Sequence, residues 1–97
     1  MYRVLVVDDE KIEREGIKFL LSREEGEFEI SEASNGRQAL EILRNEEIDL
    51  LLTDIKMPHM DGLELARRVR ADYPNIYIML CTGFDEFEYA TRPTCGR

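Results

Sequence analysis

Three carboxylate side chains follow apolar runs at widely separated points of this 97-residue sequence. Asp8 and Asp9 come directly after the run at 4–7, and Asp54 comes directly after the run at 50–53. Short, continuous apolar runs are typical of strands that are covered on both faces of a parallel sheet. Because α/β folds bind their ligands at the carboxyl ends of such strands, we expect the three carboxylates to converge at one sheet edge.

A cluster of three carboxylates is electrostatically costly unless a cation lies among them. The oxygen ligands favour Mg²⁺, which uses one or two carboxylates and keeps waters that can give way to a phosphate. Thr82 ends a third apolar run and would add a hydroxyl to the same pocket. Two ordinary explanations stay open: Asp8 and Asp9 as acids at a helix N-terminus, and Thr82 as a β-branched strand residue. Asp54 follows an apolar strand and precedes a loop with Pro and Gly, so neither a helix cap nor a solvated face accounts for it.

Segments of helical period separate the apolar runs. A first amphipathic helix is expected over about residues 10–23, with Glu and Lys on its solvent face, and a weaker strand over 27–33. The apolar residues expected on the buried face of this helix are Ile12, Gly16, Phe19 and Leu20.

Capping residues place the remaining helices. Asn35 can cap a second helix, and Asp61, which we assign to capping, can start a third that ends before Pro74. A strand then follows at 76–82, and a fourth helix is predicted to begin near Asp85. Strands and helices that alternate in this way predict an α/β fold with a doubly wound parallel sheet.

The composition excludes several classes of function. The chain has 13 basic and 21 acidic residues and a net charge of -8, which argues against binding nucleic acid or an anionic membrane surface. The longest apolar run is too short to span a bilayer, and no secretory leader is evident, so a cytoplasmic location is expected. Cys81 and Cys95 have no metal-binding spacing and are expected to be a core residue and a tail residue.

These motifs resemble the receiver domain of two-component response regulators over about residues 2–90. The resemblance rests on an acidic motif at 4–10 (VLVVDDE), a phosphoacceptor motif at 51–62 (LLTDIKMPHMDG) and a switch strand at 79–83 (MLCTG). It implies a flavodoxin-like receiver fold with the strand order 2-1-3-4-5. The stretch at 83–90 is similar to receivers that are attached to AraC-type helix-turn-helix output domains, which implies a role in transcription regulation.

The same resemblance implies a role for each matching residue. Asp54 is the expected phosphoacceptor, and Asp9, Asp54 and the backbone carbonyl of Lys56 are expected to bind Mg²⁺ directly, with Asp8 acting through a water. Thr82 is expected to donate a hydrogen bond to the phosphoryl group and to act as the switch. The donor would be a sensor histidine kinase or a small acyl phosphate, and the domain would catalyse at most its own phosphorylation and dephosphorylation.

The chain departs from this family at its C-terminal end. Receivers have a fifth strand that ends in Lys-Pro and a fifth helix behind it, and this chain shows neither pattern, so we expect a truncated receiver at 1–90. The tail at 91–97 resembles a truncation or frame change, and Arg92 is not assigned the role of the missing Lys. We expect impaired phosphorylation, and an open edge at the fourth strand that drives self-association or partial unfolding. The resemblance also implies homodimerisation through the fourth-helix region, which is incomplete here.

Three other functions compete with the phosphoacceptor. A truncated, switch-incompetent receiver could act only as a protein-binding or dimerisation module. A phosphatase of the haloacid-dehalogenase type would need an Asp at the position of Lys56, and a nucleotide-binding flavodoxin-like protein would need a first loop richer in Gly, Ser or Thr than Asp8-Asp9-Glu10. His59, on a predicted exposed turn, is interpreted as solvated rather than as a second phosphorylation site.

Overall fold

Strands and helices alternate along the chain in the order that the sequence predicts. The computed structural model describes residues 1–24, 26–81 and 89–91. The elements are β1 (Tyr2–Val7), α1 (Lys11–Ser22), β2 (Phe28–Ala33), α2 (Gly36–Asn45), β3 (Leu50–Asp54), α3 (Gly62–Asp72), β4 (Tyr77–Cys81) and β5 (Tyr89–Thr91).

The strands form one sheet in the order β2-β1-β3-β4-β5, in which the first four are parallel. This arrangement confirms the predicted α/β fold with its parallel sheet. The register aligns the strand ends, because Val7 lies opposite both Ala33 and Thr53, and Asp54 lies opposite Cys81. The residues that follow β1 and β3 are therefore neighbours at the same edge of the sheet.

The last strand differs from the prediction. Residues 89–91 run antiparallel to β4 and pair with Ile78, Met79 and Leu80, whereas the sequence predicts the fourth helix up to residue 90 and the tail from Thr91. The predicted open edge at the fourth strand is therefore wrong, because β5 pairs with the backbone groups that such an edge would leave without partners. The described part of the chain has neither the parallel fifth strand nor the fifth helix of receivers.

Some predicted features lie outside the described residues. These are the helix start near Asp85, the switch residue Thr82, and the tail from Arg92 onward with Cys95. Thr91, the first residue of the predicted tail, belongs to β5 and pairs with Ile78.

Alternate side chains of the central strands enter two hydrophobic clusters, one on each face of the sheet. Leu5 and Val7 of β1 join the cluster that contains the buried residues of α2 and α3, whereas Val4 and Val6 join the cluster that contains α1. Helices thus cover both faces, as the continuous apolar runs predict. No helix in the described ranges is long and apolar enough to cross a membrane.

The buried face of α1 is not the predicted one. Ile12 is 81% exposed and Phe19 is 60% exposed, whereas Ile17 is only 2% exposed and packs with Leu21 against the sheet. Residues four apart lie on one face of a helix, so Glu13 shares the sheet-facing side with Ile17 and Leu21. The prediction failed because α1 carries two apolar stripes, and the more populated stripe is the exposed one.

Candidate functional site

Two of the predicted site residues, Asp8 and Asp54, meet at the carboxyl edge of the sheet. Asp8 is only 2% exposed, and its Oδ1 accepts a hydrogen bond of 2.9 Å from the backbone N–H of Glu10. Asp54, the last residue of β3, is half-buried beside it. The parallel pairing of β1 with β3 is what brings these residues together across 46 positions of sequence.

A third carboxylate, from α1, completes the cluster. Ligand oxygens of Asp8, Glu13 and Asp54 all lie within 4.8 Å of one another. The sequence reasoning missed Glu13 because it assigned the acidic residues of this helix to the solvent face. The spacing of Glu13 to Ile17 and Leu21, one and two helical turns further along, identifies its position only once it is known that these two residues face the sheet.

The other predicted ligands lie around this cluster. Asp9 follows Asp8 on the exposed side of the edge, and its charge contributes to raising the pKa of Asp54. Lys56 is exposed in the loop between β3 and α3, two residues after Asp54. The structure therefore groups Asp8 and Asp54 with Glu13, and keeps Asp9 within electrostatic reach.

Burial and mutual repulsion disfavour the charged forms of these acids. Burial, and next to it a hydrogen bond with the Glu13 carboxyl, together raise the pKa of Asp8 to about 8. Burial also raises the pKa of Asp54, with the charge of Glu13 as the next cause. The pKa of the buried Cys81 thiol is raised to about 12 by burial and by the charges of Asp54 and Asp8. Cys81 is therefore a core thiol, as predicted.

The loop after β3 closes tightly against Asp54. The N–H of Gly62 donates a 2.8 Å hydrogen bond to the carbonyl of Ile55, and a Cβ on Gly62 would collide with the backbone carbonyl of Asp54. Asp61 caps α3, since its Oδ1 accepts a 2.8 Å hydrogen bond from the N–H of Glu64. His59, in the same loop, is exposed and has a left-handed backbone with φ of 71°.

An ion-pair network fixes α1 against the site. Arg14 Nε lies 2.9 Å from Glu32 Oε1 of β2, and its Nη1 donates a 2.7 Å hydrogen bond to the backbone carbonyl of Asp8. Lys18 Nζ lies 2.8 Å from the other carboxylate oxygen of Glu32. These contacts link α1, β2 and the end of β1, and so determine where Glu13 lies.

The chemistry of the donors fits a hard divalent cation. All three clustered side chains offer carboxylate oxygens, which Mg²⁺ prefers over nitrogen or sulfur ligands. A cation there would offset the repulsion that, in addition to burial, raises the pKa of Asp54. With its charge offset in this way, the half-buried carboxylate of Asp54 is suited to act as a nucleophile.

Comparisons with known proteins agree with this geometry. A family model described as "Response regulator receiver domain" matches residues 4–94. The uncharacterized transcriptional regulatory protein YesN of Bacillus subtilis is 41% identical over 91 residues, which cover 93% of this chain but only 25% of that protein. The chain thus spans about a quarter of this relative.

Solved structures are similar as well. The response regulator TrrA of Thermotoga maritima, solved in complex with Mg²⁺-BeF, has a TM-score of 0.77 and 41% identity, covering 84% of this chain and 69% of that one. TrrA has also been solved in complex with the histidine kinase ThkA, and that structure has a TM-score of 0.76 over the same shares.

Proposed function

This chain belongs to the response regulator receiver domain family, and from that premise we propose that it accepts a phosphoryl group on the carboxylate of Asp54. The observation that carries the proposal is the position of Asp54, at the end of a central parallel strand beside the buried Asp8 and beside Glu13. Asp54 is partly exposed, and its pKa is raised by burial and by the charge of Glu13. It is therefore both reachable and placed at a site that a cation would stabilise.

The metal site is proposed from the same residues. Asp9, Asp54 and the backbone carbonyl of Lys56 would hold Mg²⁺, with Asp8 acting through a water. When bound, the ion supplies positive charge that offsets the carboxylates and the incoming phosphoryl group. Asp8, which accepts a hydrogen bond from the N–H of Glu10, keeps the end of β1 in the shape that this site needs.

The transfer is a single displacement at phosphorus. A carboxylate oxygen of Asp54 forms a bond to phosphorus while the bond from phosphorus to the donor breaks. With a phosphohistidine donor, the imidazole nitrogen leaves with the electron pair of the P–N bond. With a small acyl phosphate, the carboxylate of the donor leaves instead. The product is an acyl phosphate on Asp54, which Thr82 would contact as the switch residue.

The proposed setting is a phosphorelay in the cytoplasm. The phosphoryl donor is a sensor histidine kinase, a proposal supported by the complex of the similar TrrA with a histidine kinase. The domain acts as a signalling phosphoacceptor that promotes its own phosphorylation and dephosphorylation, without turning over a separate substrate. Self-association through the sheet edge remains a prediction, and the edge strand is now β5.

Intact-mass spectrometry after incubation with acetyl phosphate tests the proposal. We expect one phosphoryl increment that requires Mg²⁺ and disappears in Asp54→Asn. The matched control is Asp72→Asn, which removes the same charge from the exposed end of α3 and should leave the increment unchanged. A folded wild-type protein without an increment would contradict the phosphoacceptor function and favour the binding-module alternative.

A further inference from the structure

We propose that Glu13 is an additional Mg²⁺-binding carboxylate, contributed by α1, that raises the affinity of this receiver for the ion. The inference rests on the proposed function, because it concerns the same metal site. The ligands that the sequence motifs imply come from the residues after β1 and from the loop that begins at Asp54. Glu13 would add a ligand from α1 to this set.

The rotation of α1 places Glu13 at the site. Ile17, one helical turn later, is 2% exposed and packs in the cluster that contains Val4 and Val6 of β1. A helix that buries Ile17 and packs Leu21 against the sheet must direct the residue one turn earlier toward the strand ends. Glu13 therefore faces the site for the same reason that Ile17 faces the core.

Ion pairs between α1 and β2 keep the helix in this position. Arg14 and Lys18 both contact Glu32, and Arg14 also donates to the carbonyl of Asp8. These two basic residues of α1 are thus engaged in contacts with β2 and with the end of β1. Within the described ranges, no salt bridge includes Glu13. An oxygen of the Glu13 carboxylate lies within 4.8 Å of carboxylate oxygens of both Asp8 and Asp54.

This environment separates Glu13 from a glutamate on a solvated helix face. A solvated glutamate would lie among waters and basic neighbours, whereas an oxygen of Glu13 lies within 4.8 Å of an oxygen of each of the two strand-end acids. An oxygen at that distance can share one small cation with them, either directly or through a retained water. Because affinity for a hard cation rises with the number of carboxylates around it, Glu13 should strengthen binding.

A metal titration tests this role without depending on phosphorylation. Free Mn²⁺ is measured by electron paramagnetic resonance in the presence of the protein, and Mg²⁺ is then added as a competitor. Glu13→Gln should weaken binding of both ions by about threefold to tenfold, because one carboxylate is lost from the site. Glu13→Asp keeps the charge and should retain more affinity than Glu13→Gln.

The matched control is Glu15→Gln, which removes the same charge from the exposed side of the same helix. It should bind both ions as the wild type does. Far-UV circular dichroism checks that each variant is folded, and Glu13→Asp provides the comparison if Glu13→Gln does not fold.

Two outcomes would overturn the inference in distinguishable ways. If the wild type and Glu13→Gln bind Mn²⁺ with equal affinity, Glu13 is not a ligand, although the metal site and the phosphoacceptor function stand. If the wild type binds neither ion, both this inference and the proposed metal site fail.

Discussion

Replacing Asp8 with Asn should stabilise the protein when no divalent ion is present. Asp8 is 2% exposed, and its pKa is about 8 in the folded chain against an ordinary value of 3.8. The folded state therefore holds this proton more tightly than the unfolded state does. It follows that the contribution of Asp8 to the free energy of unfolding falls as the pH rises from about 4 to about 8.

The size of the effect follows from the span of pH over which only the folded state keeps the proton. Each pH unit in that span costs about 1.4 kcal/mol, so the penalty at about pH 7 is at most about 4 kcal/mol. Because Asp8 shares its proton with Glu13 and the site can relax, we expect Asp8→Asn to gain about 1 to 3 kcal/mol at that pH. The Asn oxygen can still accept the N–H of Glu10, and the Asn amide can donate to Glu13.

Urea unfolding in EDTA, followed by far-UV circular dichroism at about pH 5 and about pH 7, measures this effect. The advantage of Asp8→Asn over the wild type should grow with pH, and added Mg²⁺ should stabilise the wild type much more than the variant. Asp72→Asn is the charge-matched control at an exposed position and should show neither change. A wild-type stability that does not depend on pH in this range, or an Asp8→Asn variant that is less stable than the wild type at about pH 7, would refute the reasoning.

Three further substitutions test the loop after β3 and the anchor of α1. Gly62→Ala should lower the free energy of unfolding in urea by about 1 to 3 kcal/mol and reduce labelling of Asp54, because the new Cβ would collide with the backbone carbonyl of Asp54. Unchanged stability would contradict this close approach. His59→Gly should gain about 0.5 to 1 kcal/mol by relieving its positive φ, and should label normally with acetyl phosphate. Glu32→Gln should cost about 1 kcal/mol near neutral pH. Hydrogen bonds from Lys18 and Arg14 lower the pKa of Glu32. The stabilisation is therefore present above the pKa that Glu32 has in the unfolded chain and is lost as the pH falls through its lower pKa in the folded state. If Glu32→Gln lost as much stability at about pH 3 as at neutral pH, the ion pairs would not be the cause.

The sheet could be predicted from the sequence because its signals are local and unambiguous. The runs at 4–7 and 50–53 are apolar without alternation, and α2 and α3 begin after Asn35 and Asp61, whose side chains cap them in the structure. Parallel pairing then brings Asp8 to Asp54 with no further information. The antiparallel pairing of residues 89–91 could not be predicted in this way, because it depends on contacts with β4 rather than on any period in those three residues.

The third carboxylate of the site could not be predicted, because the rotation of α1 is decided by tertiary contacts. By apolar content alone, the stripe with Ile12 and Phe19 should be buried, yet Arg23 lies over the exposed ring of Phe19, 5.8 Å from its centroid. The stripe with Ile17 is buried instead. On that side of the helix, Arg14 and Lys18 reach Glu32 of β2, an ion-pair network that no pattern within α1 reveals. The rotation of α1 that brings Arg14 and Lys18 to Glu32 also places Glu13 beside Asp8. The ion pairs with β2 and the position of the third carboxylate therefore have the same structural cause.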